Sequence, residues 1–113
     1  MKCKKGVRVF GVSNEILFAL VIVESIFHAY EINPVVTSMR DSLHSKRSKH
    51  YSGNAVDIRM KYISDTSKQV IITNEIREAL TSEFDVLLEN VGTESVHLHV
   101  EFDPTLNDVQ STL

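Results

Sequence analysis

Cysteine is nearly missing from this sequence, with Cys3 standing alone among 113 residues. One cysteine closes no intramolecular disulfide and builds no cysteine zinc knuckle, so any metal centre here must be made from histidine and carboxylate. Cys3 lies beside lysines that favour thiolate, but with no adjacent histidine or acid it reads as incidental. A charge surplus is missing too. The formal net charge of −3 and pI near 5.9 give no electrostatic reason to expect nucleic acid or an anionic membrane as a partner. Basic residues cluster only locally, at Lys2, Lys4 and Lys5 and again at Lys46, Arg47 and Lys49, and both clusters read as solvated side chains. Long apolar runs are also lacking. Ile16 to Val23 is bracketed by Glu15 and Glu24, well short of the roughly 20 residues a membrane-spanning helix needs. No small-residue cleavage site follows it at Ile26-Phe27-His28-Ala29-Tyr30, so it reads as a core helix of a chain made in the cytoplasm without its own export signal. No internal repeat or low-complexity segment interrupts the chain.

What is present fits one domain over 1–113, with an N-terminal arm at 1–12 and a loose tail at 105–113, expected to act as a monomer. Val7 to Phe10 alternates weakly, as a short lead-in strand or an extended arm. From Ser13, a natural N-cap, Ile16, Ala19, Leu20, Val23, Ile26, Phe27 and Tyr30 recur at three- and four-residue steps, predicting a helix that ends near Glu31, before Asn33-Pro34. His28 near its C-terminus is read as a cap or surface residue. Pro34 to Ser38 reads as a strand, Met39 to Lys49 as a polar loop, and Ala55 to Met60 as a second strand. In that strand Val56 and Ile58 face the core, while Asp57 faces a cleft with Ala55 and Arg59. Ser64 to Ser67 offers caps for a second helix burying Val70, Ile72 or Thr73, Ile76, Ala79 and Leu80. A hairpin follows, from strand Phe84 to Glu89 through a glycine-containing turn to strand Val96 to Phe102. The expected fold class is α+β, a small antiparallel sheet with helices packed on one face.

Two stretches carry the chemistry. The first, Ser48-Lys49-His50-Tyr51-Ser52-Gly53-Asn54-Ala55-Val56-Asp57, sets a histidine and an aspartate seven apart across a glycine. The second, Val96-His97-Leu98-His99-Val100-Glu101, puts two histidines on one strand face, about 6.5–7 Å apart along the chain. If that face meets Asp57, the imidazoles converge on the carboxylate. Neutral imidazole and carboxylate suit zinc, and equally suit iron or manganese.

The pattern Ser48-x-His50-x-x-Gly53-x-Ala55-x-Asp57, with His97-x-His99 some forty residues later, resembles the D-alanyl-D-alanine carboxypeptidase and hedgehog-type zinc peptidases. That family includes the vancomycin-resistance dipeptidases and phage endolysin peptidases. The resemblance spans about Val35 to Asp103, and the Ser13–Tyr30 helix matches the family's leading helix. It implies a hedgehog-like fold holding one Zn2+ on His50, Asp57 and His99, with His97 as an active-site histidine. It implies hydrolysis of a peptidoglycan stem peptide or another D-Ala-containing peptide, as a D,D-carboxypeptidase or an endopeptidase at an L-Ala/D-acid bond. Such an enzyme, phage-encoded by its compact architecture, would act on the cell wall if exported or released. The base is Glu89, with Glu94 as the alternative, since Glu94 keeps a Glu-x-x-His spacing to His97 but sits in the turn. Arg40 corresponds to a substrate-stabilising arginine, although Thr37, Ser38 and Met39 depart from the family's pattern before it. Glu101 shares His99's face and is read either as its outer partner or, equally, as an exposed strand acid; His44 is read as lining the cleft, Ser48 as orienting the loop by a hydrogen bond, and Tyr51 as packing or offering its hydroxyl. The alternatives are a zinc-binding module of the same fold without hydrolysis, and a phage accessory protein without metal.

Overall fold

Ser13 starts the first helix as its position predicts: its Oγ accepts from the Ile16 N–H at 3.2 Å, and α1 runs Asn14–Ala29. The computed structural model describes residues 1–7, 12–41 and 54–104. Ile16, Ala19, Leu20, Val23 and Phe27 are the buried stripe of α1, the four larger side chains each contributing about 1.5–3 kcal/mol by leaving water. The helix ends where the Glu31 N–H bonds the His28 carbonyl at 2.9 Å and the Ile32 N–H reaches back to Phe27 at 3.0 Å. That paired closure requires a left-handed residue, and Glu31 supplies it at φ 60°. An L side chain is strained there whereas glycine is not. Glu31→Gly is therefore expected to stabilise the protein by about 0.5–1 kcal/mol, read as a higher urea midpoint at unchanged slope; a lower midpoint refutes it.

Five strands form one sheet in the order β1-β2-β3-β5-β4, where β1 is Lys2–Cys3, β2 Val35–Asp41, β3 Asn54–Arg59, β4 Phe84–Glu89 and β5 His97–Phe102. The expected antiparallel pairing holds from β2 to β4. At the β1 edge the sheet is mixed, because Lys2 and Cys3 pair in parallel with Val35 and Val36. The N-terminal arm is thus partly strand, while Val7 is outside any element and residues 8–10 lie outside the described residues. Met39, Arg40 and Asp41, read as loop, continue β2, because β3 offers Val56, Ala55 and Asn54 as ladder partners. A polar sequence becomes a strand when a neighbour satisfies its backbone.

The second helix, α2, runs Thr66–Ala79 and is capped by Asp65, whose Oδ1 accepts from the Ser67 N–H at 2.9 Å. Ile72, Thr73, Ile76 and Leu80 are buried as expected, but Val70 is 43% exposed and Ala79 is exposed as well. Gln69 takes the inward place, its amide donating to the Ile63 carbonyl at 2.6 Å and to Met60 at 3.3 Å. Those carbonyls belong to the connection between β3 and α2, and burying them without a donor costs more than burying one valine returns. Arg77 similarly clasps the Val86 carbonyl through Nε and Nη2, tying α2 to β4. Both helices share one core with Val56, Ile58, Val86, Leu98 and Val100, so they cover one sheet face. The fold is α+β, as the pattern of elements predicts. No helix among the described residues is long and apolar enough to cross a membrane.

Candidate metal centre

Alternation along β3 and β5 sends Val56, Ile58, Leu98 and Val100 into the core and leaves Asp57, His97 and His99 on the face away from the helices. The two strands are neighbours at the middle of the sheet, where Asp57 pairs with His99, Arg59 with His97 and Ala55 with Glu101. On the other side of β5, Glu89 of β4 pairs with His97. Three strands thereby deliver Asp57, Glu89, His97 and His99 to one patch. A bulge sets the fourth neighbour. Val36 pairs with Ile58 but Ser38 with Asp57, so β2 carries one extra residue there, which shifts every following side chain to the other face. Ser38 Oγ consequently donates to Asp57 Oδ2 at 2.8 Å, and Thr37 Oγ1 to the Asp57 carbonyl at 3.3 Å.

Asp57, Glu89 and His97 form a group that can hold a metal ion, each offering one ligand atom, with these atoms all within 4.8 Å of one another. His97 Nε2 is 3.1 Å from Glu89 Oε1 and 3.9 Å from Asp57 Oδ1. Two ligands at about 2.0–2.1 Å from a tetrahedral ion stand about 3.3–3.4 Å apart, and the observed distances bracket that spacing. The donor set of imidazole and carboxylate suits a divalent cation. His97 Nδ1 lies 2.8 Å from the Ser95 carbonyl, which only accepts, so Nδ1 donates there and the ring is oriented with Nε2 towards the carboxylates.

His99 is held at both ends, Nδ1 at 2.8 Å from Asp57 Oδ1 and Nε2 at 3.1 Å from Glu101 Oε1. Glu89 Oε1 lies 4.0 Å from the same Nδ1. Two flanking carboxylates stabilise the imidazolium. The hydrogen bond to Asp57 raises the His99 pKa to about 9, against a smaller opposing effect of burial and with help from Glu101. Burial pushes the Asp57 carboxyl up, but hydrogen bonds from His99 and Ser38, with the charge of His99 and His97, outweigh it and hold the pKa below its ordinary value.

A pH dependence of stability follows for metal-free protein. The folded pKa of His99 lies above its unfolded value of 6.5, so the stabilisation is complete below pH 6.5 and is lost as pH rises through about 9. Partial solvation of the ring reduces the effect to about 1–2 kcal/mol. Chelator-treated protein should therefore unfold at lower urea at pH 9.5 than at pH 6, and His99→Gln should flatten that difference. An unchanged slope in the variant assigns the effect elsewhere.

Of the remaining expected site residues, His50 lies outside the described residues, as do His44, Ser48 and Tyr51. Arg40 belongs to β2, opposite Ala55. Glu94 is exposed in the turn but borders the same cleft as Asp57 and His97, so it is near the cluster without joining it. Glu101, only 5% exposed, stands behind His99 at 3.1 Å, the first of the two roles its position allowed. Ser38 was not foreseeable, because its partner depends on a one-residue bulge in another strand.

Compared with family models, with curated proteins and with solved structures, the chain matches none.

Proposed function

We propose that this chain is a zinc-dependent peptidase that hydrolyses peptidoglycan stem-peptide bonds with an activated water. The observation that carries this reading is the gathering of Asp57, Glu89, His97 and His99 from three strands onto the sheet face away from the helices, with contacts of 2.8–4.0 Å between them. The order of His50, Asp57, His97 and His99 along the chain, and its resemblance to the zinc peptidases, supports it further.

In this reading Asp57 and His99 would hold the ion together with His50, which lies outside the described residues. Zinc, when bound, lowers the pKa of a coordinated water to about 7 and polarises a carbonyl. The rest is done by side chains. Ser38 holds one oxygen of Asp57 and leaves Oδ1 turned to the cluster. Glu101 keeps the Nε2 proton of His99, so that loss of the Nδ1 proton exposes a lone pair in the direction Asp57 already occupies. Glu89, half-exposed at the end of β4, takes the proton of the attacking water and returns it to the leaving amine. His97 steadies Glu89 at 3.1 Å and offers its Nε2 to charge building on the substrate.

A second reading, a zinc-binding module without hydrolysis, draws on one observation: Glu89 and His97 are themselves spaced as ligands with Asp57. Were both committed to the ion, Glu89 could not serve as the base. Metal analysis of chain purified without chelator, followed by mass analysis of peptidoglycan and stem-pentapeptide digests, separates the two. The peptidase reading expects about one zinc per chain and cleaved product whose mass names the bond. Zinc without product leaves the binding module, and neither zinc nor a zinc-dependent gain in stability removes both.

A further inference from the structure

The first helix has two apolar faces. Its inner one meets the sheet; its outer one carries Leu17, Phe18 and Val21, which are 51%, 52% and 65% exposed. A surface helix sets polar and charged side chains outward, as α2 does by placing Ser67, Asn74 and Glu78 about its exposed Val70 and Ile71. By contrast α1 holds no lysine or arginine, and its two acids, Glu15 and Glu24, fall on opposite flanks at about 100° per residue. Between them the outward positions Asn14, Phe18, Val21, Ser25 and His28 follow at steps of four, three, four and three, within an arc of about 80°. Steps of that kind make the seam along which one helix lies on another. Asn14, Ser25 and His28 are exposed too, so the whole seam faces water in a single copy. At its Asn14 end it opens into a groove of about 500 Å3 walled by Phe18, Phe84 and Phe102, and the last two rings stand 5.2 Å apart.

We propose that two copies of this chain associate through α1, the helices antiparallel about a two-fold axis, with Phe18 of each packed on the partner's Val21. The seam is complementary to itself. In this register the large Phe18 meets the smaller side chain of the partner's Val21, twice, and Asn14 meets the partner's Ser25 at both ends, where amide and hydroxyl satisfy one another. A parallel pair would instead stack Phe18 on its own copy and align two helix dipoles that the antiparallel pair opposes. Area favours a second copy as the occupant. Half-exposed Phe18 offers about 100 Å2 and Leu17 and Val21 similar amounts, on the order of 300 Å2 of apolar surface per copy. With the polar ends and the groove the contact reaches about 600 Å2 per copy, the lower end for specific pairs. That size sets a reversible dimer, with a dissociation constant on the order of 10 µM. Glu15 and Glu24 stay at the margins, so no charge has to leave water. The metal cluster lies on the opposite face of the sheet, so pairing leaves it open in both copies, and the dimer does not depend on the peptidase reading.

Sedimentation equilibrium of the full chain between about 5 and 500 µM brackets the expected constant, with reductant present because exposed Cys3 could couple copies by itself. The average mass should rise from that of one chain towards two. Phe18→Lys and Val21→Glu should each weaken association by about 30-fold or more, because each buries an unpaired charge. Val21→Ser adds no charge and should weaken it by about tenfold. Both side chains are more than half exposed, so the urea midpoints of these variants should stay near that of the parent chain. Mixing the two charged variants decides the register. Antiparallel pairing sets the introduced lysine of one against the introduced glutamate of the other and should restore the dimer at concentrations where each variant alone is a monomer; parallel pairing brings them together nowhere. A chain that stays monomeric at about 500 µM overturns the proposal, whether residues 105–113 or a different protein covers the face. So does a dimer indifferent to all three substitutions, or a mixture that fails to recover.

Discussion

Asp57→Ala is expected to purify without zinc and without peptidase activity. Asp57 touches the cluster on three sides: it accepts from Ser38, pairs with His99 and faces His97. Loss of an outer partner of a metal ligand costs about 10–100-fold in affinity, and loss of the ligand itself should exceed that. Ser38→Ala supplies the comparison, since it removes only the hydrogen bond to Oδ2 and should fall within the smaller range. The substitution also strands His99, whose imidazolium then keeps only Glu101 of its two close carboxylate partners, so the pKa of His99 should fall back towards its ordinary value. Asp57→Asn preserves shape and serves as the fold control. The measurements are zinc content by elemental analysis, binding by competition with a chromophoric chelator, and thermal unfolding to verify that the variant is folded. Full zinc occupancy in a folded Asp57→Ala protein would remove Asp57 from the ligand set.

Glu89→Gln should keep its zinc and lose turnover by about 10²–10⁴-fold, the range that a positioned general base contributes. The substitution retains volume and the capacity to bond His97 but cannot take a proton. It also divides the two readings of the cluster. If Glu89 is a ligand alongside Asp57 and His97, zinc affinity falls together with activity; if it is the base, affinity holds. Glu94→Gln is the necessary partner experiment, because Glu94 borders the same cleft. Its turnover should be nearly unchanged. A dead Glu94→Gln beside a fully active Glu89→Gln would transfer the role of base to the turn, even though the structure pairs Glu89, and not Glu94, with His97 at 3.1 Å.

Much of this was legible in the sequence wherever the code is local. Helix periodicity from Ser13 marked seven positions, of which α1 buries five while Ile26 and Tyr30 are partly buried against the same core, because which face a residue takes is set by its neighbours three and four away. Alternation around Asp57 and around His97 and His99 likewise determined which side chains leave the core, since period two depends only on the strand itself. The absence of cysteine pairs determined that any metal must rest on histidine and carboxylate. Other features were beyond it. Gln69 displaced Val70 from the interior because two loop carbonyls, distant in pattern, needed a donor. Met39 to Asp41 became strand because β3 lay alongside. Above all, the meeting of Asp57 with His99 across 42 residues, of His99 with Glu89 and of Asp57 with Ser38, was decided by strand order and by a single bulge in β2. A strand's own residues specify which face is apolar but not which strand will lie beside it. That choice belongs to the packing of the whole sheet against its helices, and it is what turns two separate motifs into one site.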